Sequence, residues 1–272
     1  MKKKDGLCVW CKECSGVYAK KYYITNKKKE LKRCKRHYDE NLDLYLLRNA
    51  RRRAARNNHT FELTRSDIII PEYCPILHVQ FQIGEGKKHK YSATVDRLDN
   101  DKGYTKDNIV VVTNIANTVK NNGSVDDLSR IINFLKSVEV HQDKTWVKIF
   151  EIMNFTVHKN SPALAKLMYK KRKEENRAKL NREFTITTSD IIVPNLCPAL
   201  GIPLFRGKNI AIDNSPTVDR LNNNLGYQPS NIAVLSKKAN LMKNNVATLE
   251  LEQIYIGYKN LLQHYKEKTY GQ

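Results

Sequence analysis

Two sets of polar residues recur along the chain at the same intervals. Asp96, Asn108 and Asn117 stand 12 and then 9 positions apart, and Asp219, Asn231 and Asn240 repeat both spacings. An aspartate that ends one strand and an asparagine on a following helix can meet across a small ββα unit. Carboxylate and amide oxygens are hard ligands, which suit Mg²⁺ or Mn²⁺. A cation held there polarises a phosphoryl oxygen and stabilises the oxygen that leaves a broken phosphodiester. The middle asparagine opens the second strand, where its amide can tie the intervening loop to the backbone.

Another constellation lies at the start of the chain. Cys11 and Cys14 are followed, after 19 intervening residues, by Cys34 and His37, with Cys8 as a spare. Two ligand pairs so spaced predict a structural zinc site, closed by four protein ligands. The span between the pairs, "SGVYAKKYYITNKKKELKR", interleaves tyrosines with lysines. Stacking and phosphate contacts on one face suit such a module. Cys74 and Cys197 stand alone at matching Cys-Pro turns and read as small buried thiols.

The elements that must position these residues come from a duplication. An offset of 123 aligns the two halves: "SDIIIPEYCP" falls on "SDIIVPNLCP" and "TVDRL" on "TVDRL". Between 94–122 and 217–245, 16 of 29 positions are identical. Each copy opens with a basic helical run, "LYLLRNARRRAARNN" or "AKLMYKKRKEENRAKLN". The "TVDRL" strand, a Gly-Tyr turn and a branched strand, "NIVVVT" or "NIAVLS", follow. A short helix and an amphipathic closing helix complete the copy, with Ser124 and Thr248 as N-caps. The fold class expected is α+β: a basic zinc module over 1–45, tandem ββα domains over 46–140 and 161–272, and a helical connecting segment over 141–160.

The charge is lopsided. The net charge is +20, and residues 1–60 hold 18 Lys and Arg against 6 Asp and Glu. A field of that sign selects a polyanion, most commonly nucleic acid. No apolar run is long enough to span a bilayer, and no apolar stretch backs the N-terminal lysines, so a cytoplasmic protein without a membrane partner is expected.

With these residues in view, the two copies resemble the ββα-metal motif of the HNH endonucleases, closest to phage-type and endonuclease VII-like members. The shared pattern is Cys-Pro-x-Leu-Gly, Ser-Pro-x-x-Asp-Arg, Gly-Tyr, Asn, Ala-Asn and Lys, over about 75 residues of each copy. The second copy fits better, because "CPALGIPL" and "NSPTVDR" stand intact. The resemblance implies that Asp96 with Asn117, and Asp219 with Asn240, hold Mg²⁺ or Mn²⁺. It makes Asn108 and Asn231 structural, and gives Lys120 and Lys243 contacts to phosphate. The chain departs from the family at the residue after the aspartate, usually a histidine that activates water and here Arg97 and Arg220. Arginine stays protonated and is a poor general base. Two readings follow. Either the arginines clamp phosphate in a metal-dependent hydrolase of bacteriophage origin that cuts DNA, or the fold is degenerate and binds nucleic acid or a host protein. RNA remains open as a partner, because phosphate contacts dominate both. Two copies in one chain imitate the dimer many such nucleases form. His78 and His89 lie upstream of Asp96 but have Gly201 and Ile212 at their offsets, so they read as surface residues.

Overall fold

Runs of branched residues flanking a tight Gly-Tyr turn make a hairpin, and the chain does this twice. The computed structural model describes residues 12–82, 89–139, 148, 162–207 and 210–270. Strands β1 (Ala93–Arg97) and β2 (Ile109–Thr113) pair antiparallel, with Asp96 opposite Val110. Strands β3 (Pro216–Arg220) and β4 (Ile232–Ser236) pair the same way, with Asp219 opposite Ala233. Helices α1 (Lys12–Glu40), α2 (Leu42–Arg56), α3 (Asn114–Lys120), α4 (Val125–Glu139), α5 (Pro162–Glu175), α6 (Lys237–Lys243) and α7 (Thr248–Tyr270) complete the architecture. It is a mixed helix-and-strand fold with two small sheets, each followed directly by a short helix.

The hairpin loops are pinned from outside. Phe61 bridges Tyr104, and Phe184 bridges Tyr227, in parallel register. Gly103 and Gly226 precede those tyrosines, where an added Cβ would fall 2.5 Å from the Thr60 carbonyl oxygen and 2.3 Å from that of Glu183. The Asn-Asn that ends each repeat also has a conformational reason. Asn121 and Asn244 follow α3 and α6 at φ of 48° and 52°, a region asparagine tolerates better than most residues. The lone thiols sit as expected. Cys74 and Cys197 are buried, and their sulfurs accept the backbone N–H groups of Thr113 and Ser236 at 3.4 and 3.3 Å.

Helix α2 turns Leu46, Leu47, Ala50 and Ala54 onto β1, forming a small core with Val95 and Val111. The larger core belongs to both copies at once. Ile131, Leu135 and Val138 of α4 share it with Ile254 and Tyr258 of α7 and with both hairpins. The two closing helices cross over: Gly257 of α7 lies against the Ile76 backbone of the first copy, and Arg130 of α4 donates to the Leu200 carbonyl of the second. Ser124 caps α4 as expected, accepting from the Asp127 N–H while Asp127 accepts from the Ser124 N–H. Thr248 behaves differently, because its hydroxyl donates 2.7 Å to Glu139 at the end of α4. Contact between the copies has claimed that side chain.

Residues 12–40 form one continuous helix where a compact zinc module was expected over 1–45. From Lys12 to Glu40 there is no proline, and the single glycine, Gly16, stands near the beginning. The segment 141–160 lies outside the described residues, apart from the helical Lys148. Among the described residues, no helix is long and apolar enough to cross a membrane.

Candidate functional site: two buried polar clusters

Strand alternation decides where the repeated polar residues go. Side chains on a strand alternate between its two faces, so Asp96 and Arg97 cannot share one. Asp96 and Thr94 face α3, where Lys120 Nζ comes within 3.3 Å of Asp96 Oδ2 and Asn117 donates to Thr94 Oγ1 at 3.3 Å. Asn117 also donates to the Val95 carbonyl at 3.2 Å. The second copy repeats this: Lys243 Nζ lies 3.1 Å from Asp219 Oδ2, and Asn240 donates to Thr217 Oγ1 at 2.9 Å. The strand aspartate and the helix asparagine of each copy therefore lie on one face of the ββα unit.

The arginines turn the other way. Arg97 donates to the carbonyls of Asn100 and Lys102, both at 2.8 Å, and its guanidinium lies 5.4 Å from the centre of the Tyr104 ring. Arg220 donates to the carbonyls of Asn223 and Leu225 at 2.9 and 3.0 Å and lies over Tyr227 at the same 5.4 Å. Both are buried. Their planar forks close the hairpin loop and point away from the aspartates. The middle asparagines do what the sequence suggested. Asn108 accepts from the Asp99 N–H and donates to the carbonyls of Asp99 and Gly103; Asn231 does the same with Asn222 and Gly226.

Lys120 and Lys243 are not surface cations available to phosphate; they are 2% and 1% exposed. Lys120 Nζ donates 2.7 Å to the Arg97 carbonyl and 2.9 Å to Asn100 Oδ1, and Lys243 makes the 2.7 Å bond to the Arg220 carbonyl. Burial pushes the Asp96 carboxyl above the usual carboxylate range, against the pull of the Lys120 ammonium. Burial likewise lowers Lys120, with Asp96 opposing, and raises Asp219 against Lys243. A divalent cation does not fit either cluster as it stands. An ammonium already fills the space beside each carboxylate.

The copies differ at one residue the sequence reading passed over. The Tyr258 hydroxyl, on the second copy's closing helix, donates 2.7 Å to Asp96 Oδ2 of the first copy. The 123-residue offset puts Leu135 at the matching position of α4, and leucine has no donor. Among the described residues, Asp219 Oδ2 is buried with no hydrogen-bond partner beside its ion pair with Lys243. A lone tyrosine against leucine in an aligned repeat was the available signal.

The zinc set does not assemble among the described residues. Cys14 and Cys34 both lie on α1, twenty residues apart, which puts them about 30 Å apart along the axis at roughly 1.5 Å per residue. Cys34 and His37 share one turn, His37 meeting the Tyr45 hydroxyl at 3.3 Å through Nδ1, and Cys11 and Cys8 lie outside the described residues. No group of three or more His, Cys, Asp or Glu side chains comes together to hold a metal among the described residues. His78 is exposed at φ 53°, the position where the second copy has Gly201 at φ 70°, so the site demands a left-handed turn; His89 is exposed as well. In comparisons with known proteins, no family model, curated protein or solved structure matches the chain.

Proposed function

We propose that this protein is a nucleic-acid-binding factor built on two HNH-like ββα units whose nuclease positions serve the interior of the fold. The observation that carries this reading is the fate of the arginines and lysines. In both copies Arg97 or Arg220 is consumed by two loop carbonyls, and Lys120 or Lys243 by the neighbouring aspartate and a backbone carbonyl. These bonds take up both cations of each copy that the family pattern would turn toward phosphate. Affinity for a polyanion comes instead from the helices. Helix α1 carries ten Lys and Arg against four acids, and Arg48, Arg51, Arg52 and Arg56 are exposed on α2.

A second reading, a metal-dependent phage-type DNA endonuclease, is favoured by Asp219 Oδ2, which has no hydrogen-bond partner among the described residues and lies in the copy that better fits the family pattern. Incubating supercoiled and branched DNA with the purified chain, with Mg²⁺, Mn²⁺ or EDTA, separates the two. Salt-sensitive binding without cutting is the expected result. Metal-dependent cutting that disappears in Asp219→Ala and persists in Asp96→Ala would establish the endonuclease.

A further inference from the structure

Helix α1 does not lie flat on the molecule. Between it, α2 and the start of β1 runs a groove of about 1140 Å³ whose lining includes Val95, the neighbour of the buried Asp96. Five cations line it, Lys28, Lys32, Lys35 and Arg36 from α1 and Arg53 from α2, against two acids, Asp39 and Glu40. Lys28, Lys32 and Arg36 recur every four residues, so they stand in one row along the helix. Arg53 is held in place by bonds to the Val95 carbonyl at 2.6 Å and the Tyr104 hydroxyl at 3.2 Å.

The groove also offers rings. Tyr38 and Tyr45 are half-buried in its wall with centroids 4.8 Å apart. Asn49, Thr94 and Asn114 add amide and hydroxyl groups to the lining. A row of cations beside aromatic faces suits a backbone whose bases are free to stack, which a paired duplex does not present. The second copy lacks two of these side chains: the 123-residue offset replaces Tyr45 by Met168 and Arg53 by Asn176. The side chain of Asn176 bonds the Arg182 carbonyl instead.

We infer that this groove is a binding site for single-stranded nucleic acid, the phosphates running along Lys28, Lys32 and Arg36 and a base stacking against Tyr38 and Tyr45. The inference rests on the nucleic-acid reading above and narrows it to one site and one strand form.

Fluorescence anisotropy on the full chain tests it, with labelled oligothymidylate, oligouridylate and a mixed-sequence duplex over a series of salt concentrations. Replacing Lys28, Lys32 and Arg36 together by Ala is expected to weaken single-strand binding at least tenfold. It also lowers the salt slope by about 2, at roughly 0.7 for each phosphate no longer neutralised. Tyr38→Ala is expected to cost about fivefold or more with little change in slope. The comparison variant removes Lys166, Lys170 and Lys171, exposed cations of α5 outside the groove. Preference between the two labelled strands tells DNA from RNA, and either preference supports the site. Equal weakening in the groove and comparison variants, or tighter binding of the duplex, would overturn the groove and leave the nucleic-acid reading standing. Failure to bind all three probes would remove both.

Discussion

An ammonium out of water is expensive unless something answers its charge, and each copy buries one. Lys243 and Asp219 answer each other at 3.1 Å in a setting where burial disfavours the charged carboxylate. Removing one partner strands the other. Lys243→Met or Asp219→Val alone is therefore expected to destabilise the fold by about 3–5 kcal/mol. The double variant, which leaves no buried charge at this pair, should return to within about 1 kcal/mol of the parent. Urea unfolding of the four proteins measures the coupling. An additive double variant would mean that the two side chains do not form an ion pair. The same cycle reports on function, because a pair kept for phosphate contact would show in nucleic-acid affinity rather than in stability. At this scale the sequence was half legible. The spacing of Asp219 and Asn240 put them on one strand and the helix that follows it, and Asn231 at the loop it ties. Strand alternation, available from the adjacency of Asp219 and Arg220, was the missing step that separates the arginine from the aspartate.

Elements meet where one side chain serves two of them. Asp127 accepts the Ser124 N–H at the start of α4 and also the Lys238 ammonium of α6, at 2.9 and 2.8 Å, so one carboxylate caps a helix and joins the copies. Burial alone would raise its pKa; the bonds from Lys238 and Ser124 outweigh that and hold it below the ordinary value of 3.8. A depressed carboxyl contributes stability that is present above its unfolded pKa and lost as the pH falls through the folded one. The acid limb of the stability profile below about pH 4 should thus be shallower in Asp127→Asn than in the parent. Thermal melts at stepped pH test this, and parallel acid limbs would refute it. The pairing of strands, the short helices and the Ser124 cap were all readable from local pattern. Helix α1 was not, because cysteine spacing suggested a folded-back module, while an unbroken run without proline favours a single rod.

The duplication is visible in the sequence, but the way the copies embrace is not, since it depends on positions where they differ. Glycine inside a helix costs about 1 kcal/mol against alanine, yet α7 carries Gly257 in its interior, where the first copy has Phe134. Close approach explains it: a Cβ there would sit 2.3 Å from the Ile76 carbonyl oxygen and 2.8 Å from the Ile76 Cα. The atoms in the way are all Ile76 backbone, so no side chain can swing aside to make room. One residue on, Tyr258 is fully buried and its hydroxyl reaches Asp96. The glycine admits the helix, and the tyrosine fastens it. Gly257→Val is expected to force α7 off the first copy and lower the melting temperature by several degrees, well beyond the roughly 1 kcal/mol scale of helix propensity. Tyr258→Phe keeps the shape and removes only the bond to a charged group, which costs about 1.5–3 kcal/mol. Hydrogen exchange locates the effect. Loss of protection in the Gly257→Val protein should appear in both α7 and the Cys74–Ile76 turn, although 172 or more positions separate them in sequence. Loosening confined to α7 would mean that each copy holds its own core and that the embrace is incidental to folding.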